Sequence, residues 1–312
     1  MLPLLRGKKA KGWMAVVRSG ERIDLAHVIR PAGERPEIRL LDSFALEKGE
    51  ADALEQLRAV RGLRAFRCTT LLAEGDYRLL QIDAPAVPAE EKVQAARWRL
   101  KDMVDFPVEN AAIGLLDIPL KEGSVGRQPT AFAVIAPART VGERMRLFDG
   151  AKVPLEAIDV PELAQRNVAA LFEEPNRGLA FLGLVNGDGL LTITYGGELY
   201  AARRIDVSAK AMAEADPERR QMLVERLVLE LQRTLDTFDR QFNFISVVRL
   251  VVACEHPVEG LLAALTENLY VPVQAMDLSS VADFPALPEL RNPDRQAQCL
   301  RSIGAALREE GA

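Results

Sequence analysis

Twice along this chain, three strand-length runs joined by tight-turn signals lead into a helix, a strand and a second helix. In the first copy the runs are residues 13–17, 23–30 and 37–45. Ser19-Gly20 marks one turn and Pro31-Ala32-Gly33 the next, because Gly and Pro are the residues that break regular structure most sharply. A helix over 49–60, with Leu54, Leu57 and Val60 on one face, and a strand over 64–70 follow. In the second copy the runs are 178–185, 190–195 and 198–205. Their turns read Asn186-Gly187-Asp188-Gly189 and Gly196-Gly197, both strong hairpin signals. A long helix is predicted over 217–242, with Val224, Leu227, Leu231, Leu235, Phe238 and Phe242 at i, i+3 and i+4 steps. A buried strand at 247–254, a helix at 258–269, an edge strand at 271–276 and a last helix at 293–308 complete it. A strand at 154–160 and a helix at 162–172 are read as the opening of the second half. The division predicted is 1–150 and 151–312.

The first half contains an extra block, residues 77–119. It reads as a strand, a turn broken by Pro85 and Pro88, an amphipathic helix, a second proline turn and a strand. Glu90 and Glu91 stand in the first helical turn, where carboxylates suit the positive end of the helix dipole. Val93, Ala96, Leu100, Met103 and Val104 recur at helical spacing. Asp105-Phe106-Pro107 ends the helix, since Pro disfavours the helical conformation in the residue before it. Residues 130–137 add a strand and 140–148 a helix, so an inserted subdomain is expected over about 77–137.

Three stretches carry a family resemblance. The 77–119 block, in which an LL-Q-acidic-AP strand leads to a Trp-bearing helix and closes on DFP, resembles the same region of MshI-type proteins of MSHA pilus biogenesis, relatives of PilM. The helix LVLELQRTLDTFDRQ resembles the long helix of PilM-type proteins. Ser302-Ile303-Gly304-Ala305-Ala306-Leu307-Arg308 resembles their last helix. The resemblance implies an α/β, actin-like (ribonuclease H-like) two-domain fold. Each half would be a mixed sheet with flanking helices. It also implies a cytoplasmic scaffold on the inner face of a type IV pilus platform, binding a short tail of an inner-membrane protein of PilN or PilO kind. Self-association is left open.

Composition fits an ordered protein. Hydrophobic residues make up 48% of the 312, enough for a sizeable core. Aromatic residues are only 5%, so Leu, Val and Ala must fill it. Net charge is −5, which argues against bulk electrostatic binding of nucleic acid. Cys68, Cys254 and Cys299 are too far apart for a zinc motif or a disulfide framework, and each reads as a small buried apolar residue. No run approaches the roughly 20 apolar residues needed to cross a bilayer. The longest, 244–254, is interrupted by Arg249. Met1 to Leu5 precede Arg6, Lys8, Lys9 and Lys11, the wrong order for a signal peptide.

Actin-like ATPases hold phosphates between two hairpins, each with an acid and glycines that let backbone N–H groups approach. In residues 12–20, Val16 and Val17 stand where the acid is expected. In the second hairpin the D-x-G position reads Gly183-Leu184-Val185. Asn186, Gly187, Asp188 and Gly189 form either a phosphate-cradling loop or an ordinary turn. Glu230 matches the family's ribose-facing acid on the long helix, and Arg233 lies one turn on, where it could meet phosphate or base; the alternative reading of both is an exposed i, i+3 pair. The adenine-side glycine pair is replaced by Ala253-Cys254. ATP with Mg²⁺ is therefore disfavoured, and no cofactor, metal or catalytic residue is expected. His27 and His256 fall in different halves. The competing reading is an active ATP-binding enzyme of the same fold, a sugar kinase or an assembling ATPase. A type II secretion L-type cytoplasmic domain is a third. For the partner, Trp98 lies about 140° around its helix from Val93, off the core stripe. Arg97, Arg99 and Lys101 surround it, the make-up of an interface hot spot.

Overall fold

The computed structural model describes residues 9–120 and 128–309. Met1 to Leu5, Arg6 and Lys8, and the glycine-bearing loop before Thr130, lie outside the described residues. The chain runs β1 (Trp13–Ser19), β2 (Arg22–Ile29), β3 (Glu37–Ala45), α1 (Glu50–Val60) and β4 (Arg67–Leu71). The inserted block follows as β5 (Arg78–Asp83), α2 (Ala89–Leu100), β6 (Ala112–Ile118) and β7 (Thr130–Ala136). Next come α3 (Ala138–Gly150), β8 (Leu155–Asp159) and α4 (Pro161–Ala169). The remainder is β9 (Gly178–Val185), β10 (Asp188–Tyr195), β11 (Glu198–Ile205), α5 (Ala209–Glu214), α6 (Pro217–Gln241), β12 (Val247–Cys254), α7 (Leu261–Asn268), β13 (Val273–Ala275), α8 (Pro293–Gln298) and α9 (Leu300–Ala306).

Two five-stranded sheets share one plan. Their orders are β3-β2-β1-β4-β8 and β11-β10-β9-β12-β13. In each, an antiparallel meander is extended by two parallel strands. The strand expected to open the second half is a correction: β8 pairs in parallel with β4 and closes the first sheet. Sequence periodicity cannot assign a short strand to a sheet, and here a parallel partner beside β4 decides it. Hairpin chemistry matches expectation at β9–β10 and β10–β11. Asn186 (φ 57°) and Gly187 (φ 88°) turn the first, and Gly196 (φ 61°) and Gly197 (φ 79°) the second, all left-handed as this turn demands.

The core lies in layers. Met14, Val16, Ile23 and Leu25 on one face of the first sheet meet Leu54 and Leu57 of α1 and Phe148 of α3. Ala180, Leu182 and Leu184 of the second sheet meet the full α6 stripe. Asp216 caps α6, accepting from Arg219 N at 2.9 Å, and Pro217 follows at a position where its missing N–H is not needed. Between the sheets, Ala15, Val17, Phe181 and Val251 enclose α4, α8 and α9. The helices exchange sides there: α4, which follows the first sheet, packs on β9–β11, and α9, at the chain's end, packs on β1 and β2. They cross at Gly304, where a Cβ would stand 2.1 Å from Ala164 O. Cys68 and Cys299 are buried, and burial pushes both thiols up to about 12; Cys254 is half-buried.

Several bounds shift. Val60 is 61% exposed and leaves the α1 face. On α2, Ala96 and Leu100 are buried while Val93 is exposed; the helix stops at Leu100, so Met103, also exposed, and Asp105-Phe106-Pro107 lie beyond it. The last helix is broken at Cys299.

Candidate functional site

Two places stand out: a charged cluster around Arg204, and the groove beside the inserted block. Arg204, at the end of β11, reaches four groups. Its Nε and Nη2 donate to Glu162 at 3.1 and 2.9 Å, Nη2 to Tyr77 Oη at 2.6 Å, and Nη1 to Asp188 at 2.8 Å; Glu74 lies 3.0 Å from Nη1. Tyr77 Oη also donates to Glu162, and Arg301 of α9 pairs with Asp188. Glu162 is only 3% exposed. Burial and the neighbouring Glu162 carboxylate push the Tyr77 phenol up, so it stays a donor. Burial, with the Asp188 carboxylate beside it, raises Glu74. This cluster ties the loop after β4, the start of β5, the first turn of α4, β10, β11 and α9 together.

The candidate nucleotide residues fall as follows. Asn186 and Gly187 form a two-residue turn, while Asp188 and Gly189 already belong to β10. Asp188 thus stands in the arginine cluster, not at a turn tip. Gly183 serves packing: a Cβ there would stand 2.4 Å from Gln165 Oε1. Gln165 of α4 donates through Nε2 to Phe181 O, Leu190 O and Thr192 Oγ1 at 3.1, 2.9 and 3.1 Å. Glu230 pairs with Arg233 at 3.4 Å and with Arg203 at 3.5 Å. Arg203 precedes Arg204 on β11, so strand alternation directs the two to opposite faces. At Ala253-Cys254, Cys254 Sγ donates to His256 O at 3.0 Å. Among the described residues no cluster of three or more His, Cys, Asp or Glu is placed to hold a metal ion.

Sequence reasoning missed Glu74, Tyr77, Glu162, Arg204 and Arg301 as a group. Tyr77 and Arg204 are 127 residues apart, and no local spacing links them.

The groove is built from strand edges. The three-stranded sheet of the block has the order β5-β7-β6, so β6 is an edge; β8 is an edge of the first sheet. Both edges line one groove of about 430 Å³, with Gly114, Leu116, Leu163, Val141 and Arg308 among its walls. α2 covers one face of the small sheet, packing Ala96 and Leu100 on Ile113, Leu115, Ala133 and Ile135. Gly114 and Leu116 alternate with those residues and take the other face. Gly114 is exposed, has an ordinary φ, and a Cβ there would meet nothing within 4 Å.

Trp98, on α2, is 71% exposed. Its basic neighbours are engaged by the block itself. Arg97 donates to Val108 O and Ala111 O, and Arg99 donates to Asp83 O at 2.6 Å. Lys101 caps α2 and is exposed.

No protein-family model and no curated protein matches this chain. Among solved structures it is similar to one described as a PilM–PilN type IV pilus biogenesis complex. That match has 22% identity and a TM-score of 0.73, and covers 95% of this chain and 98% of that chain. It also matches the cytoplasmic domain of EpsL, an inner-membrane component of the Vibrio cholerae type II secretion system. There the identity is 13% and the TM-score 0.47, over 92% and 94% of the two chains. A Bacteroides thetaiotaomicron protein of actin-like ATPase fold and unknown function matches with 10% identity and a TM-score of 0.48, over 95% and 98%. The agreement with the first, along nearly the whole of both chains, is one of fold: this chain has the actin-like fold.

Proposed function

We propose that this chain is a cytoplasmic scaffold of a type IV pilus assembly platform, of the MshI kind serving an MSHA-type pilus, and that it holds a short tail of a PilN-like inner-membrane protein. The observation that carries the reading is the groove with two strand edges that no described strand pairs. An extended tail can add its backbone to an open edge, gaining main-chain hydrogen bonds, while alternate side chains enter the apolar walls. The fold shared with a chain of a PilM–PilN type IV pilus biogenesis complex supports this, and so do the three sequence stretches that resemble MshI and PilM. Attachment to the membrane then comes through the partner; among the described residues no helix is long and apolar enough to cross one. The inserted block of about 77–137 is the half-groove that makes the chain a receptor. Trp98, Arg97, Arg99 and Lys101 form at most a second contact, on the far side of the small sheet.

The test is co-purification with a PilN-like membrane protein. Gly114→Trp fills the groove at a position with free space and no backbone strain. It should cut binding tenfold or more, about 1.4 kcal/mol, in a variant that melts like the parent. Full binding by a folded Gly114→Trp variant would remove the groove from the proposal.

The nucleotide site belongs to the same proposal, as a vestige. A triphosphate needs free cations and approachable backbone N–H groups. Here Arg204 and Arg301 are already bound to Glu162 and Asp188, and Glu74 adds a third carboxylate. Such a lining does not fit phosphate. Titration calorimetry with Mg-ATP should give a Kd above roughly 10 μM, weaker than about −7 kcal/mol. Tighter binding would favour the enzyme reading instead.

A further inference from the structure

The groove does not end at the strand edges. Arg308 and Glu309 line it and also line a second, larger pocket of about 920 Å³. That pocket is bounded by Lys11, Arg30, Arg39 and Arg308, and among the described residues Glu309 is the one acid in its lining. With Asp159 and Glu37, which pair with Arg308 and Arg39 from outside the lining, four cations meet three carboxylates, a net positive patch in a chain of net charge −5. Two of the cations are held in place. Arg30 donates to Leu307 O at 3.0 Å and pairs with Glu309 at 3.1 Å. Arg308 donates to Asp159 at 2.9 Å and lies over the Trp13 ring, 5.7 Å from its centroid. The other two are exposed. Arg39 meets Glu37 at 3.2 Å, and no ion pair joins Lys11 to another described residue. Trp13, which also lines the pocket, is 4% exposed, and its Nε1 donor has no hydrogen-bond partner among the described residues.

Guanidinium groups fixed before a ligand arrives lose little entropy when they bind a carboxylate, and their planar fork matches it. A lipid headgroup or a free phosphate could use the same charges. Neither would use the strand edges of the groove, which shares Arg308 and Glu309 with the pocket. We infer that the tail held in the groove is acidic at one end: beside its apolar stretch it carries two or more Asp or Glu side chains, which the pocket at Lys11, Arg30, Arg39 and Arg308 receives. This rests on the groove reading given above and adds the partner's chemistry to it.

The experiment is selection of a phage-displayed random-peptide library on the full chain. Parallel selections use Gly114→Trp and the double variant Lys11→Glu, Arg39→Glu, whose changed side chains are exposed. Recovered peptides should join apolar residues to a pair of acids. A synthetic peptide among them should lose about tenfold in affinity when its acids become Asn or Gln, and about as much on the double variant. Both losses should shrink at high salt, as screening requires. If peptides are lost on Gly114→Trp yet bind equally with or without acids, the groove stands and the acidic end is wrong. If they bind Gly114→Trp as well as the parent, the groove reading fails and takes this inference with it. A third arm uses vesicles of phosphatidylglycerol and phosphatidylcholine in equal parts. If Lys11 and Arg39 bind these vesicles while peptide affinity ignores both residues, the pocket is a membrane contact and the inference is overturned.

Discussion

His27 shows how one side chain sets a condition on the whole first sheet. It is 7% exposed on β2, packs edge-on against Phe66, and its Nε2 donates to Lys11 O at 2.9 Å. Burial lowers its pKa from 6.5; the Lys11 carbonyl opposes that, and Arg39 adds to it. The unfolded chain therefore binds this proton at a higher pH than the folded one. Stability is full above about pH 6.5, declines as pH falls through that value, and levels off once the folded imidazole also protonates. Urea melts of the parent and of His27→Gln should diverge in slope across that window, the parent alone losing stability to acid. Parallel curves would mean that the ring does not stay neutral in the folded state. The His27 chemistry was only half legible in the sequence: a histidine on a strand was visible, its carbonyl partner was not. Arg204 is the extreme case. Its β-strand was readable from the meander pattern, but Glu162, Asp188 and Tyr77 lie 42, 16 and 127 residues away. Only Asp188 stood out beforehand, for a turn position it does not occupy. Removing one partner of such a buried pair strands the other charge, which costs more than the pair itself contributes.

At the level of elements, α2 separates packing from recognition. Its sequence showed an off-stripe Trp98 ringed by positive charge, and the exposure of that indole follows. The charge does not gather around it, because Arg97 and Arg99 spend their donors on carbonyls of Val108, Ala111 and Asp83. Periodicity reports which way a residue starts from its helix; it does not report where a long flexible side chain ends. Trp98→Ala should leave the melting temperature within about 1 °C, since little of the indole is buried. Arg97→Glu should lower it, because two buried carbonyls lose their donor and a carboxylate replaces it. Thermal melts of both decide the matter. Equal behaviour of the two variants would mean that Arg97 is as dispensable to the fold as Trp98. Long patterned elements such as α6, and turns with Asn-Gly or Gly-Gly, were legible. Short ones without pattern, such as α5 and the break at Cys299, were not. β8 was seen as a strand and given to the wrong sheet.

In the whole molecule, both sheets obey one plan, and that repeat was the sequence's clearest statement about the fold. What it did not announce is the exchange of α4 and α9 across the middle layer, since the faces of two short apolar helices carry no mark of which sheet they will cover. The exchange leaves the first half unfinished and the second with an apolar helix it cannot bury. A piece ending at residue 150 would lack β8 and the helix that covers β1 and β2, and would expose Ala15, Val17, Ala26 and Val28. The second piece would keep α9 with no sheet beneath it. Each piece expressed separately should aggregate or remain unfolded, and the two expressed together should recover a soluble, cooperatively melting complex. A soluble, folded piece on its own would contradict this. The crossing at Gly304 would then act as a latch between separate molecules: with two chains in place of one, the second fragment keeps α4 on its own sheet and lends the first both β8 and α9.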